Sequence, residues 1–171
     1  YSLTVLGFLN QRSISRIIAS DIDNKMLETA RLNLSLLSED GMKRRIDELN
    51  LLYKRFNKES HREAIESAIR LLNMIQKEIS VQVFRANALQ GIEIEVKPDI
   101  IITDVPYGNL VDWQEGTGGV SRLLDSLAEI CGKETVIAVS MNKDQKINTT
   151  SFRRLEKQNV GKRRFEIYKP A

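Results

Sequence analysis

Asp99-Ile100-Ile101-Ile102-Thr103-Asp104-Val105-Pro106-Tyr107-Gly108 is the stretch on which the fold reading turns. Three consecutive isoleucines carry no polar alternation, which predicts a strand over 99–103 covered on both faces, as in a parallel sheet. A charged residue, Asp104, comes directly after it, and Pro106 restrains the backbone beside that carboxylate. Open parallel sheets bind ligands outside the carboxyl ends of their strands. Asp104 is therefore expected at a ligand site rather than in an ordinary turn.

Working outward, Arg16–Ser20, Val81–Arg85 and Thr135–Ser140 read as further short β-branched strands. Leu27, Ala30, Leu34 and Leu37 repeat at helical spacing after the first of them, with Asp23 as the helix N-cap. A short apolar helix ends near Asn10, and Val120–Ile130 predicts another helix. The segment 40–80 reads as a helical hairpin inserted between two strands. Its first stripe is Ile46, Leu49, Tyr53 and Phe56; its second is Ile65, Ala68, Ile69, Leu72, Ile75 and Ile79. Ser60-His61-Arg62-Glu63 has the form of a capping box opening the second helix. Ser151–Lys157 is expected to be a helix and Arg163–Tyr168 an edge strand; Trp113–Gly119 is the most loop-like stretch. Strands alternating with helices imply a Rossmann-like, doubly wound α/β fold with a mostly parallel sheet in one domain over 1–171.

Composition sets the class. With 171 residues, 42% hydrophobic and 29% charged, the chain is long enough for a core and ordinary for a soluble protein. No apolar run reaches a membrane span, and with no signal-peptide pattern the expected location is the cytoplasm. Cys131 is the single cysteine and His61 the single histidine, which excludes an intrachain disulfide and a zinc site of the usual kind. The net charge is only +3 but uneven: nine Lys or Arg face three acids from Lys143 to Lys169, and seven face four from Asp40 to Arg62. Such clustering suits either a solvated surface or a polyanionic partner.

Three strand ends can carry chemistry. Asp21 follows its strand directly, where a carboxylate suits the ribose hydroxyls of a nucleoside cofactor as well as it suits a plain turn. Asn87 follows Val81–Arg85, where its amide can meet an adenine edge or close a turn. Asp104, Pro106 and Tyr107 form the most specific group: the carboxylate grips an N–H of a planar base, and Tyr107 stacks on a base drawn out of its helix. Trp113 is either a second aromatic wall or a satellite core residue. Cys131, without a basic partner nearby, reads as structural, and His61 as surface. There is no phosphate loop, Ser/His/Asp pattern or metal motif.

An acid after one strand and D-x-P-Y after a later one resemble class I methyltransferases that act on nitrogens of nucleobases. Tyr1-Ser2-Leu3-Thr4-Val5-Leu6-Gly7, Ile18-Ala19-Ser20-Asp21-Ile22-Asp23, Asn33-Leu34-Ser35-Leu36-Leu37-Ser38, Asp99 through Gly108 and the closing Asn159-Val160-Gly161-Lys162-Arg163 resemble, more closely, the avilamycin-resistance rRNA methyltransferases of the AviRa type. The likeness spans essentially the whole chain. It implies S-adenosyl-L-methionine as cofactor, a guanine base of large-subunit (23S) ribosomal RNA as substrate, and a role in antibiotic resistance. It further implies that Asp21, Ile22, Asn87, Ala88 and Asp104 contact the cofactor, and that Asp104, Pro106 and Tyr107 form the base pocket. Asn87 departs from the family, which usually has Asp there. The family's glycine-rich D-P-x-C-G-S-G loop and first strand are expected before Tyr1, and a fragment without them is expected to bind the cofactor poorly. Three other readings stay open: an adenine-N6 DNA methyltransferase, a nicotinamide-dependent oxidoreductase, and a non-catalytic RNA-binding module of Rossmann-like fold.

Overall fold

Ser2–Leu9 forms a helix, α1, and Arg16–Asp21 the first strand, β1, as their apolar runs require. The computed structural model describes residues 2–105 and 119–171. Pro106, Tyr107 and Trp113, singled out above, lie outside the described residues. The chain divides into two units, Tyr1–Arg85 and Ala86–Ala171.

In the first unit, β1 leads through three helices, Asn24–Ser35 (α2), Glu39–Phe56 (α3) and Glu59–Met74 (α4), to Ser80–Arg85 (β2). β1 and β2 pair in parallel, from Arg16 with Ser80 to Asp21 with Arg85. Ile17, Leu34, Leu37 and Ile79 are buried together between this strand pair and its helices. Asp23 caps α2 as expected, accepting the Lys25 N–H at 2.7 Å. Ser38 caps α3 by accepting the Gly41 N–H at 3.1 Å. Glycine is required at 41 because a Cβ there would sit 1.9 Å from the Ser35 carbonyl oxygen.

The helical hairpin α3–α4 matches the expected insertion, with three corrections. Its core holds Met42, Leu49 and Ala68 with Ile46, Ile65, Leu72 and Ile75. Phe56 and Ile69 are instead exposed, and Ile79 follows the helix and joins the strand core. The capping box does not form: α4 starts at Glu59 with Lys58 as N-cap and no side-chain cap bond. Asn57 reverses the chain in the left-handed region (φ 47°). Ser60 therefore falls inside the first turn, and Arg62 pairs with Glu59.

In the second unit, Ile100–Asp104 (β3), Gly119–Ala128 (α5), Val136–Asn142 (β4), Phe152–Val160 (β5) and Arg163–Pro170 (β6) build a four-stranded sheet of order β3-β4-β6-β5. β3 and β4 are parallel, whereas β6 runs antiparallel to both β4 and β5. Alternate residues of β4 (Ile137, Val139, Met141) pack with Val120, Leu123, Leu124 and Leu127 of α5. The expectation that 99–103 is covered on both faces does not hold here, since Ile100 is 64% and Ile102 39% exposed. β3 is an edge of this sheet, and it is Ile101 that packs against the core.

Two expectations for the C-terminal segment are overturned together. Residues 151–157 are not a helix; from Phe152 on they belong to β5. The i, i+3 pair Phe152 and Leu155 imitates a helical face, but Phe152 is buried and Leu155 half-exposed. Pairing with β6 decides the conformation, with a bulge between Arg154 and Glu156. β6 is in turn interior rather than an edge, and β5 takes the edge. A two-residue loop, Gly161-Lys162, joins them, and Gly161 holds the positive φ (59°) that such a tight hairpin demands.

Candidate cofactor and base-binding site

At the carboxyl end of the first sheet, Asp21 is the last residue of β1 and is exposed. One carboxylate oxygen accepts the Asp23 N–H at 2.9 Å, which fixes the side chain. Arg85 lies opposite in register, yet its Nε donates to the Ile22 carbonyl at 3.0 Å. The carboxylate therefore remains available to hydroxyl donors, and Ile22 sits half-buried beside it.

At the carboxyl end of the second sheet, Asp104 is exposed and ends β3. Its neighbour Val105 is 2% exposed and packs into the core, and the Val105 N–H donates to the Ser140 carbonyl at 2.9 Å. An apolar anchor directly after a solvent-facing carboxylate pins the strand end without burying the charge. Ala88 and Leu89 pack against the same core cluster. Asn87 closes a turn: its Oδ1 accepts the Leu89 N–H at 3.0 Å and its carbonyl the Gln90 N–H at 2.9 Å. Its amide NH₂ is the part left to face a ligand, so Asn87 suits a ligand acceptor rather than a donor.

Cys131 is half-buried and burial pushes its thiol pKa up, which fits a structural residue and not a nucleophile. Among the described residues no cluster of His, Cys, Asp or Glu could hold a metal, and no helix is long and apolar enough to cross a membrane. A hollow of about 260 Å³ is lined by Ser38–Asp40 and Ile75–Glu78, and one of about 210 Å³ by Lys97, Cys131 and Phe152 among others. Neither is lined by residues at the carboxyl end of a parallel strand, where such folds bind ligands.

Sequence reasoning missed an ionic network behind the loop that follows β4. Glu166 is 1% exposed on the core face of β6. It accepts a hydrogen bond from the Tyr168 hydroxyl and one from Arg154 Nη1 at 3.4 Å. Arg164 Nε lies 3.0 Å away, close enough for an ion pair though not aligned as a hydrogen bond. Burial, with the hydrogen bond to Glu166 second, pushes the Tyr168 pKa up and keeps the phenol protonated. Arg164 in turn donates to the Lys143 carbonyl at 2.8 Å and to the Gln145 carbonyl. One of the nine cations counted between Lys143 and Lys169, Arg164, thus faces inward; Arg154 reaches Glu166 from an exposed position, and Lys169 pairs with Glu134 at 2.6 Å. The alternation of β6 would have placed Glu166 on the Tyr168 face, but only the sheet pairing shows that this face is the core.

The family profile described as rRNA methyltransferase AviRa matches residues 1–163. The 23S rRNA (guanine(2535)-N(1))-methyltransferase of Streptomyces viridochromogenes is 37% identical over 173 residues, covering 95% of this chain and 69% of that protein. Two solved structures of the rRNA methyltransferase AviRa from the same organism superpose with a TM-score of 0.80 each, at 33% and 32% identity. They cover 96% and 98% of this chain, and 70% and 71% of theirs. With nearly every residue inside the match, the chain belongs to the AviRa family of rRNA methyltransferases.

Proposed function

We propose that the protein transfers a methyl group from S-adenosyl-L-methionine to a ring nitrogen of a guanine in 23S ribosomal RNA. The observation that carries this reading is the exposed Asp104 carboxylate at the end of β3, pinned by Val105. Family membership supplies the reaction class, and the S. viridochromogenes relative supplies the base and the RNA.

The chemistry of the residues assigned to the cofactor suits it: in the first unit the exposed Asp21 carboxylate for ribose hydroxyls and Ile22 for an apolar contact, and in the second Asn87 as an amide donor with Ala88 as apolar surface. S-adenosyl-L-methionine, when bound, supplies an electrophilic methyl group on a sulfonium. Asp104 accepts the ring N–H of the guanine, orients that nitrogen and takes up its proton as the nitrogen gains the methyl group, which offsets the positive charge that would otherwise develop on the base. Pro106 and Tyr107 are assigned the remainder of the base pocket. Exposed cations on the β5–β6 hairpin, among them Arg153, Lys157 and Lys162, and on the helical hairpin are assigned to RNA phosphates. Affinity for RNA is then expected to fall steeply with salt.

Calorimetric titration of S-adenosyl-L-methionine into the full-length protein tests the clamp. Asp21→Ala removes a charged acceptor, and such hydrogen bonds are worth about 1.5–3 kcal/mol, so affinity should drop roughly tenfold to a hundredfold. A variant that binds as tightly as the parent would remove Asp21 from the site.

A further inference from the structure

The tip of the helical hairpin joins an exposed aromatic ring to a cluster of cations. Phe56 ends α3 and is 48% exposed, outside the hairpin core that takes Met42, Leu49 and Ala68. Its place is fixed by Asn57, whose left-handed φ of 47° reverses the chain and whose N–H closes the helix on the Tyr53 carbonyl at 2.7 Å. Arg55 Cζ stands 5.1 Å from the ring centroid and Lys58 Nζ 5.8 Å. The His61 ring lies 6.2 Å away, tilted by 42°. From Lys54 to Lys58 there are three cations and no acid. The next acid, Glu59, is already held by the Arg62 guanidinium.

Single exposed rings are common on protein surfaces, but this one stands among cations with no free acid, a pairing that suits a partner offering a π-face and negative charge together. Within its unit it is not buried. The cations flanking it exclude an apolar groove as the partner, because docking there would desolvate Arg55 and Lys58 without an acid to meet them. An unpaired nucleobase satisfies both demands at once. Its face stacks on the phenyl ring, and the adjoining phosphates receive the ammonium and guanidinium groups. Aromatic–cation platforms of this composition are sequence-tolerant, since every base has a π-face.

We infer that the Phe56 tip, with Arg55 and Lys58, is a second RNA contact that stacks an unpaired base of the ribosomal RNA other than the reacting guanine. The inference deepens the proposed function, because it takes its partner from that reading. The tip would raise affinity for the RNA and help hold it on the enzyme.

The test uses the full-length protein and protein-free 23S rRNA, with affinity, KM and kcat read for each variant. Phe56→Leu should weaken RNA affinity about tenfold and raise KM for RNA, with kcat and S-adenosyl-L-methionine affinity unchanged. Phe56→Trp should restore parent affinity. Arg55→Ala with Lys58→Ala should reduce the slope of log affinity against log salt by about two. Unchanged affinity and KM in Phe56→Leu would overturn the inference. An equal loss in Phe56→Trp would also overturn it, by showing that the ring serves the fold. A loss seen on intact large subunits but not on protein-free RNA would assign the tip to a ribosomal protein and overturn it as well. If the parent itself methylated no RNA, the proposed function would fail, and the Phe56 variants would still be judged by RNA affinity alone.

Discussion

Asp104→Ala should lower kcat for methyl transfer to 23S rRNA by at least about a hundredfold, the scale for losing one preorganised electrostatic group at a reacting centre. S-adenosyl-L-methionine affinity, measured by calorimetry on the same preparation, should fall by no more than about tenfold, the worth of one cofactor contact among several. The asymmetry follows from the geometry. Asp104 is exposed at its strand end, whereas the packing that holds this end rests on Val105 and its bond to Ser140. Removing the carboxylate leaves that anchor in place. Asp104→Asn should be nearly as inactive, because an amide keeps the shape but not the charge. Parent-like turnover in Asp104→Ala would detach this residue from the chemistry.

Glu166→Ala should produce the largest loss of stability. The substitution leaves the Arg164 guanidinium, 11% exposed, without its counter-charge and the buried Tyr168 hydroxyl without an acceptor. Breaking a buried ion pair from one side costs about 3–5 kcal/mol, which lowers Tm by roughly 10 °C in a chain of this length. Glu166→Gln should lose less, since it still accepts from Tyr168. The functional consequence follows through Arg164, which holds the carbonyls of Lys143 and Gln145 in the loop after β4. Loosening that loop disturbs the carboxyl-end side of the sheet, where ligands bind in such folds. Thermal melts read the first effect, and Tm values equal to the parent would show that the network does not stabilise the fold.

Strands and helices with strong local signals were legible in the sequence. Ile100–Ile102 needed no partner to announce a strand, and Asp23 announced a helix start by its place before an apolar repeat. The segments that misled share a cause: their conformation is set by neighbours distant in sequence. Phe152 and Leu155 are spaced as on a helix, but pairing with 163–170 makes the segment a strand. Ser60 and Glu63 have capping-box spacing, but the reversal at Asn57 moves the helix start upstream. The same limit applies to the site. Asp21, Asn87 and Asp104 could be placed because strand ends are visible in the pattern. The division of Asn87 between a turn bond and a free amide group, the inward turn of Arg164 and the pairing of Arg154 with Glu166 exist only once strands and loops are assembled. Charge counting along the chain therefore overstates what the C-terminal segment offers to RNA.

The most direct measurement is transfer of labelled methyl from S-adenosyl-L-methionine by the full-length protein, offered 23S rRNA and duplex DNA side by side, with the product digested to nucleosides. Label in the RNA alone, on a ring nitrogen of one guanine, is the expected result. Label in adenine of the DNA, or none in either nucleic acid despite bound cofactor, would contradict it.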